Sequence, residues 1–378
     1  MHESFPPLRL GIVGLGAFGR FTADLFAAMP AVQIVAITAR DEQKRAQGAA
    51  RYQAQGYATL DALLGDPTVE CVVLNTPPYL HGREGLAVIR AGKHVFFEKP
   101  LTTTLQEADA IIVAAREQQV SITVDYVERF ATLHRMLNAI AARSIFGDVT
   151  TISFQNIASN DGLDDDHWFW NHEQSGGIFV EHGVHFFDLG AQLARQAVKS
   201  VAGFTFDDPN GRQDRVLATV QYENGLQATY YHAFDRPSIL QQTQLLVTFA
   251  RGSARTIGWI PTLLEIEGEV PPERQEELRQ ILGVPLTTHE VPAPPGVAGG
   301  TAGLVTRASV SLTDELEEYR ATVRASMADF ALSIRDPTHT PMCTPDDAYQ
   351  SLRTALAART SAREGNRIIQ LATDHLEA

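Results

Sequence analysis

The sequence predicts an α/β protein with two domains: a doubly wound parallel sheet, then an α+β domain with a large, mainly antiparallel open sheet. In the first third of the chain, short apolar runs alternate with segments of helical period, which is the pattern of βαβ units. Beyond Tyr126, runs rich in Thr, Val, Tyr and Phe are typical of antiparallel strands. We therefore expect domains at 1–125 and 126–378, with the last helices able to pack back on the first domain.

The elements of the first domain follow from apolar runs and helix-end signals. Strands are expected at residues 8–13, 32–38, 71–75, 95–97 and 121–124, and helices at 18–29, 42–52, 80–90 and 104–118. Asp41 precedes the second helix and is suited to cap its first turn. Gly92 follows the third helix, in the position where glycine commonly ends a helix.

The second domain is predicted from strand patterns and one strong turn signal. Strands are expected at residues 149–154, 216–222, 227–232 and 244–250, and helices at 311–335 and 346–363. Asn224-Gly225 lies between two of these strands and predicts a hairpin. The stretch 271–303 is rich in Pro, Gly and Glu, and we interpret it as an insertion or mobile loop.

Composition excludes several classes of protein. The 378 residues are 44% hydrophobic and 20% charged, as in an ordinary globular protein, and the net charge is −14 with no basic block, so no nucleic-acid partner is expected. No apolar run approaches a membrane span, and two cysteines cannot form a disulfide framework. The residues before Leu8 lack the pattern of a signal peptide, so we expect a cytoplasmic protein without membrane contacts.

The glycine-rich turn predicts a nucleotide site. Gly14, Gly16 and Gly19 form a GxGxxG pattern between a predicted strand and a predicted helix. In this context the first glycine makes the turn, the second admits a pyrophosphate, and the third lets the helix pack on the strand. The alternative is a chance glycine turn, but the strand-turn-helix context favours dinucleotide binding.

The end of the second predicted strand indicates which dinucleotide is bound. An acidic residue there would accept hydrogen bonds from the ribose hydroxyls of NAD, whereas this chain has Ala39 followed by Arg40. A guanidinium can pair with the 2′-phosphate of NADP. The alternative is a solvated arginine, with Asp41 facing the ribose. We favour NADP, with NAD as the alternative.

Three residues form a candidate catalytic group. Lys99 follows the apolar run 95–97, at the carboxyl end of a predicted buried strand. Glu181 and His185 are spaced i, i+4 on a predicted helix, so that the carboxylate can orient the imidazole and raise its basicity. Histidine would accept the proton of an alcohol while the lysine stabilises its oxygen. A core histidine paired with an acid is the alternative, and no metal site is expected because no suitable ligand motif is present.

These motifs together resemble the Gfo/Idh/MocA oxidoreductases, named for glucose–fructose oxidoreductase and inositol 2-dehydrogenase. Besides the glycine turn, the resemblance rests on motifs spread over nearly the whole chain: Asn75–Pro78 with His81, Ala91–Val95, Glu98–Pro100, Glu128–Phe130, Ser175–Gly177, and Gly183–His185 with Asp188. It implies an N-terminal Rossmann domain, a nicotinamide cofactor, a sugar- or polyol-like substrate, and a homodimer or homotetramer formed through the C-terminal sheet.

The resemblance also assigns roles to individual residues. It assigns the catalytic roles to Lys99 and His185. Cofactor contacts are expected from Gly14, Gly16, Ala17, Phe18, Gly19, Arg40, Thr76, Pro77, His81, Glu98 and Lys99. Two departures from the family pattern are Glu181, where aspartate is usual, and Ile178, where a third glycine is usual. The stretch from Pro271 to Thr306 matches nothing in the family pattern.

Four further residues are candidates for binding the substrate. Trp168 and His167 precede the catalytic helix and could face a sugar, although an exposed acidic loop is an equal alternative. Arg129 could grip a carboxylate or hydroxyl, or form an interdomain ion pair, and Tyr126 could equally be a core residue.

The expected function is that of an NADP(H)-dependent oxidoreductase acting on a secondary alcohol or carbonyl of a sugar, polyol or related small molecule. The alternatives are a non-catalytic dinucleotide-binding regulator and a redox-neutral enzyme with tightly bound NAD(P).

Overall fold

The computed structural model describes residues 5–293, 295 and 302–371, and the chain divides into two compact units. The first unit contains Met1–Phe130, Asp166–Asp188 and Arg320–Leu356, and the second contains Ala131–Asp165, Leu189–Tyr319 and Ala357–Ala378. Each unit is built on one β-sheet.

The first unit contains a six-stranded parallel sheet, which confirms the predicted α/β architecture. Its strands are β1 (Leu8–Val13), β2 (Val32–Thr38), β3 (Gln55–Tyr57), β4 (Cys71–Leu74), β5 (His94–Phe97) and β6 (Ile122–Val124). They lie in the order β3-β2-β1-β4-β5-β6, so the direction of winding reverses between β1 and β4. In such a sheet, ligands bind beyond the carboxyl ends of the strands near this reversal.

Helices alternate with these strands and continue through the rest of the chain. They are α1 (Ala17–Ala27), α2 (Glu42–Tyr52), α3 (Leu60–Leu64), α4 (Pro78–Arg90), α5 (Leu105–Glu117), α6 (Thr132–Ala142), α7 (His172–Ser175), α8 (Ile178–Glu181), α9 (Val184–Ala194), α10 (Gln275–Leu282), α11 (Glu315–Arg335) and α12 (Pro345–Arg363). Short 3₁₀ turns span Val127–Phe130, Trp168–Trp170, Ser238–Leu240 and Pro272–Arg274. Asp41 caps α2, and Gly92 has the left-handed conformation (φ 71°) just after α4, both as the sequence predicts.

Close packing of α4 on β5 fixes the strand that leads to Lys99. All four side chains of β4 are buried, as are three of the four in β5. A methyl group on Gly85 of α4 would lie 2.5 Å from the ring of Phe97, so helix and strand approach as closely as a glycine permits. The position of Lys99, two residues beyond Phe97, therefore depends on this contact.

The second unit is built on a ten-stranded sheet that is antiparallel except for one pair. Its strands are β7 (Val149–Ser159), β8 (Val198–Asp207), β9 (Gln213–Tyr222), β10 (Gln227–Arg236), β11 (Gln242–Phe249), β12 (Gly252–Ile257), β13 (Leu263–Gly268), β14 (Thr287–Val291), β15 (Gly303–Ser311) and β16 (Ile369–Gln370). Their order is β14-β15-β13-β12-β11-β7-β10-β9-β8-β16, and β7 and β10 run parallel. Buried and half-buried side chains alternate along β9, which has one face in the core.

The predicted hairpin at Asn224-Gly225 joins β9 to β10. Gly225 has a φ of 88°, and the Tyr222 N–H donates to the carbonyl of Leu226 at 2.9 Å. A residue with a Cβ avoids this conformation, so the glycine signal located the turn correctly.

Of the two interpretations of residues 271–303, an insertion or a mobile loop, the mobile loop is wrong for most of the described stretch. It contains α10, where Leu278 and Leu282 are buried one turn apart, and β14, which pairs with β15. The leucines give α10 an apolar face that packs on α6, and this local pattern outweighs the surrounding proline and glycine. Residues 294 and 296–301 lie outside the described part of the chain.

Neither cysteine is disulfide-bonded, and both are buried. In the ranges that the structure covers, no helix combines the length and apolar character needed to span a bilayer.

Candidate active site

The glycine turn between β1 and α1 leaves room for a diphosphate. Gly14 has a φ of 92°, and a Cβ there would lie 2.8 Å from the carbonyl oxygen of Asn75; a Cβ on Gly19 would lie 2.2 Å from that of Gly14. A Cβ on Gly16 would meet nothing within 4 Å. Gly16 precedes α1 without any side-chain cap, so the N–H groups of the first helical turn face this open space. These residues therefore fit the phosphates of a dinucleotide.

Beyond β2, the loop and the start of α2 carry two arginines, and the Asp41 carboxylate between them is already engaged. The Asp41 carboxylate accepts a hydrogen bond from the Lys44 N–H at 2.9 Å, so it caps α2. Arg45 donates through Nη1 to the carbonyl of Ala39 at 2.8 Å, while Arg40 is exposed. The loop therefore presents Arg40, and beside it the guanidinium of Arg45.

A half-buried carboxylate faces the same region from α4. Glu84 accepts a hydrogen bond from the Thr76 hydroxyl at 2.7 Å. Burial raises the pKa of Glu84, against the opposing effects of Thr76, Arg83 and Arg40. Arg40 is thus close enough to Glu84 to affect its ionisation.

His81 connects two loops of the first unit. Its ring is fully buried, with Nδ1 2.7 Å from the carbonyl of Pro100 and Nε2 2.8 Å from that of Thr76. Burial lowers the pKa of His81, and a neutral imidazole donates through only one nitrogen. The ring therefore links the Thr76-Pro77 turn to the residue after Lys99, and its predicted cofactor contact stays a prediction.

Lys99 is held by Glu181. The Lys99 ammonium lies 2.6 Å from Oε1 of Glu181 and 2.9 Å from its backbone carbonyl. The side chains are only 17% and 11% exposed, so water screens this ion pair weakly. An ammonium fixed by two acceptors at the carboxyl end of β5 can direct its remaining N–H toward a third oxygen.

The expectation that Glu181 and His185 lie on one helix is wrong. Helix α8 ends at Glu181, and α9 begins at Val184. Between them, the Gly183 N–H donates to the carbonyl of Ile178 in a wider turn, and a Cβ at Gly183 would lie 2.6 Å from the carbonyl of Phe179. The i, i+4 geometry therefore does not apply, and the Glu181 carboxylate contacts Lys99.

His185 lies in the first turn of α9 and is almost fully buried. The residue is 3% exposed. Its ring packs edge-on against that of Tyr126, with 5.8 Å between the ring centres. Tyr126 is fully buried. A core position is the sequence-based alternative to substrate binding for this residue. Lys99, Glu181 and His185 all belong to the first compact unit.

Arg129 is engaged by internal partners. Its Nε and Nη2 donate to the two carboxylate oxygens of Asp188 at 2.7 and 2.5 Å, and Nη1 donates to Asp347 at 3.1 Å and to the carbonyl of Met342. The side chain is 4% exposed. Arg129 therefore forms ion pairs, but with residues of its own unit and not between domains. We do not include it in the proposed substrate site. Sequence reasoning missed the partnership with Asp347, because nothing local links the two positions.

The aromatic segment before α7 forms a short 3₁₀ turn. His167 precedes it and accepts a hydrogen bond from the Phe169 N–H through Nδ1 at 3.3 Å. The rings of His167 and Trp168 lie 5.3 Å apart, and both residues are partly exposed. A substrate contact from either residue stays a prediction. Across the described ranges, no group of three or more His, Cys, Asp or Glu side chains is arranged to hold a metal ion.

Comparison with family models gives two matches that together cover most of the chain. Residues 8–126 match an oxidoreductase family with an NAD-binding Rossmann fold, and residues 140–371 match the C-terminal alpha/beta domain of that oxidoreductase family. The first unit thus contains an NAD(P)-binding Rossmann sheet.

Individual relatives and solved structures are also similar. The 1,5-anhydro-D-fructose reductase of Ensifer adhaerens is 33% identical over 47% of this chain and 54% of its own length. The scyllo-inositol 2-dehydrogenase (NAD(+)) of Bacillus subtilis is 27% identical over 58% of this chain and 65% of its own length. The WlbA dehydrogenase of Bordetella pertussis, solved with NADH and UDP-GlcNAcA, superimposes with a TM-score of 0.80 at 19% identity, covering 98% of this chain and 100% of that one. The similarity to the WlbA dehydrogenase shows that the two proteins share a fold.

Proposed function

Because the chain belongs to the Gfo/Idh/MocA oxidoreductase family, we propose that it is an NADP(H)-dependent enzyme that transfers hydride between nicotinamide and a secondary alcohol or carbonyl of a sugar, polyol or related small molecule. The relatives named for an anhydrosugar and an inositol support this substrate class. The alignments span 54% and 65% of those two proteins, so the substrate is inferred from parts of them.

The observation that carries the proposal is the Lys99–Glu181 ion pair at the carboxyl end of β5. Bound at this edge, the nicotinamide would accept or return the hydride. Lys99 donates a hydrogen bond to the reacting oxygen and stabilises its negative charge. His185 accepts the hydroxyl proton in the oxidative direction and returns it in reduction. Glu181 holds the ammonium in place through its carboxylate and its carbonyl.

The choice of NADP over NAD is supported by the loop beyond β2. Recognition of NAD needs a free carboxylate for the ribose hydroxyls, whereas Asp41 is engaged in capping α2. Arg40 is exposed in the same loop, and Arg45 lies against its backbone. Two guanidinium groups suit a 2′-phosphate, because each offers paired N–H donors and a permanent charge.

The experiment is the replacement Lys99→Met, with Lys93→Met as the matched control. Both lysines are only partly accessible, but the Lys93 ammonium donates to the backbone carbonyls of Asp66 and Val69, away from Glu181. We expect Lys99→Met to lower kcat/KM by about 10³-fold and to leave the Kd for NADPH within about threefold, because charge stabilisation of the reacting oxygen is lost. Lys93→Met should cost stability and spare turnover.

The assay follows NADPH absorbance with 1,5-anhydro-D-fructose, and NADP⁺ reduction with a panel of inositols and sugars. Cofactor affinity is measured separately by fluorescence titration. If Lys99→Met keeps the wild-type rate, Lys99 is not part of the mechanism. If the wild-type protein binds no dinucleotide, or binds it and turns over none of the panel in either direction, the proposed activity is contradicted.

A further inference from the structure

Two carboxyl groups lie side by side at the carboxyl ends of β5 and β6. The strands are parallel and pair Phe97 with Val124, so Glu98 and Asp125 occupy the next position on each. The Asp125 N–H donates to the carbonyl of Phe97 at 2.9 Å, so the pairing of β5 with β6 extends to Asp125. Because residues opposite each other in a sheet point to the same face, the two side chains are neighbours.

In the part of the chain that the structure describes, neither carboxyl group forms a salt bridge. Asp125 is fully buried, and its two oxygens make no hydrogen bond of ordinary length within the described ranges. Ser326 of α11 and Glu98 are the side chains close enough to affect its ionisation. Glu98 accepts a hydrogen bond from the backbone N–H of Lys99 at 3.0 Å, whereas the Lys99 ammonium points to Glu181. The charged groups facing Glu98 are therefore Asp125, Lys99 and Glu181.

Two adjacent carboxylates, one buried and one half-buried, do not both ionise readily. Burial raises the pKa of Glu98 well above its ordinary value, and the neighbouring Asp125 raises it further. Burial also raises the pKa of Asp125, to about 7, although Ser326 and Glu98 oppose the shift. The two groups are neighbours, so the ionisation of one disfavours the ionisation of the other and they titrate as a pair.

We propose that Glu98 and Asp125 share a single proton at the edge where the nicotinamide binds, and that they release it when the oxidised cofactor binds. This inference rests on the proposed function, because it places the positively charged nicotinamide ring beside the pair. On binding, a carboxyl O–H bond breaks, the proton passes to solvent, and the charge of the pair changes from −1 to −2. The neutral reduced ring causes no such release. Asp125 is a positioning residue here, since it acts through Glu98.

The first test is calorimetric titration with NADP⁺ and with NADPH at pH 7, in two buffers of different ionisation enthalpy. The wild-type protein should release up to about one proton with NADP⁺ and about none with NADPH. Asp125→Asn should reduce the release, because Glu98 then has no neighbouring carboxylate and the larger cause of its raised pKa, burial, is all that remains. The NADP⁺ affinity of the wild-type protein should also rise by up to about tenfold between pH 6 and 7, whereas that of the variant should rise less.

The second test uses the protein without cofactor, and follows the midpoint of thermal unfolding against pH. A folded-state pKa raised above the unfolded value means that ionisation destabilises the fold as pH rises from about 4 through about 7. Asp125→Asn should therefore be the more stable protein at pH 8, and this advantage should vanish near pH 4. Glu98→Gln is the second variant, and should show the same trend.

Asp347→Asn is the matched control. Burial alone would raise the pKa of Asp347, but Arg129 outweighs it and lowers that pKa. Asp347→Asn should be less stable than the wild type at neutral pH, and the difference should vanish in acid. This pH dependence has the opposite sign to that expected for Asp125→Asn.

The two tests separate the possible failures. Equal proton release by wild-type and Asp125→Asn protein, or parallel pH–stability curves for the wild type and both variants, would overturn the shared proton. If neither dinucleotide binds, the proposed function and the release fail together, while the pH–stability comparison still decides whether the proton is shared.

Discussion

At the scale of single residues, the proposed preference for NADP depends on Arg40. It follows β2 directly, and its acidic neighbour Asp41 accepts the hydrogen bond that caps α2. The helix dipole and the Lys44 N–H both stabilise the Asp41 carboxylate in its capping position. Turning it toward a ribose would break the capping hydrogen bond. The exposed guanidinium of Arg40 does not cap the helix.

We predict that Arg40→Ala raises the Kd for NADPH by about 10- to 100-fold and leaves the Kd for NADH unchanged. Charge-assisted hydrogen bonds contribute about 1.5–3 kcal/mol each, and NADH has no 2′-phosphate to accept them. The measurement is quenching of protein fluorescence on titration with each nucleotide. Arg116→Ala, in the last turn of α5, is the control and should alter neither constant. An equal loss for both nucleotides, or a wild-type preference for NADH, would refute NADP selectivity.

At the scale of elements, the contact between α4 and β5 positions the reactive end of the strand. Gly85 lies against the ring of Phe97, and the chain continues from Phe97 to Glu98 and Lys99. The same helix carries His81, whose two ring nitrogens lie 2.7 Å from the carbonyl oxygen of Pro100 and 2.8 Å from that of Thr76. Helix α4 therefore holds both loops that border the proposed nicotinamide site.

We predict that Gly85→Ala destabilises the protein by about 1–3 kcal/mol, because the added methyl group would lie 2.5 Å from the Phe97 ring in a well-packed core. Thermal unfolding gives the difference. Gly65→Ala is the matched control: that glycine has an ordinary φ of −71°, and its Cβ would lie 3.5 Å from the Ala62 carbonyl and 3.7 Å from the Asp61 carbonyl, which are ordinary contacts. It should change stability by less than about 0.5 kcal/mol. A Gly85→Ala protein as stable as this control would mean that α4 can move away from β5 at little cost.

At the scale of the whole molecule, the ten-stranded sheet carries the proposed assembly surface. In β11, Leu245 and Val247 are 1% and 0% exposed, while Leu246 between them is 43% exposed on the other face. β11 lies in the interior of the sheet, between β12 and β7. An exposed leucine on the open face of a broad sheet suits a contact with a second copy.

We predict that the wild-type chain forms a homodimer or homotetramer in solution, and that Leu246→Glu shifts it toward monomer. A carboxylate introduced into an apolar interface loses hydration without gaining a partner. Multi-angle light scattering after size-exclusion chromatography measures the mass. Val113→Glu, at a residue of α5 that is 52% exposed, should leave the mass unchanged. A monomeric wild-type protein, or an unchanged mass for Leu246→Glu, would contradict assembly through this sheet.

The sequence by itself determined the features that depend on neighbouring residues. The alternation of apolar strands with helices predicted the parallel sheet, and the Gly14–Gly19 pattern predicted its first turn. Asn224-Gly225 predicted the hairpin, and Asp41 predicted a helix cap. Each is a local signal, because backbone conformation and side-chain period are set within a few residues.

Only the tertiary structure decided which side chains meet. Glu181 contacts Lys99 across 82 residues of sequence, and Arg129 contacts Asp188 across 59. A break separates α8 from α9, Glu181 at the end of α8 contacts Lys99, and the pairing of β5 with β6 brings Asp125 beside Glu98. Such pairings depend on how whole elements pack, and packing is a property of distant residues that no local pattern contains.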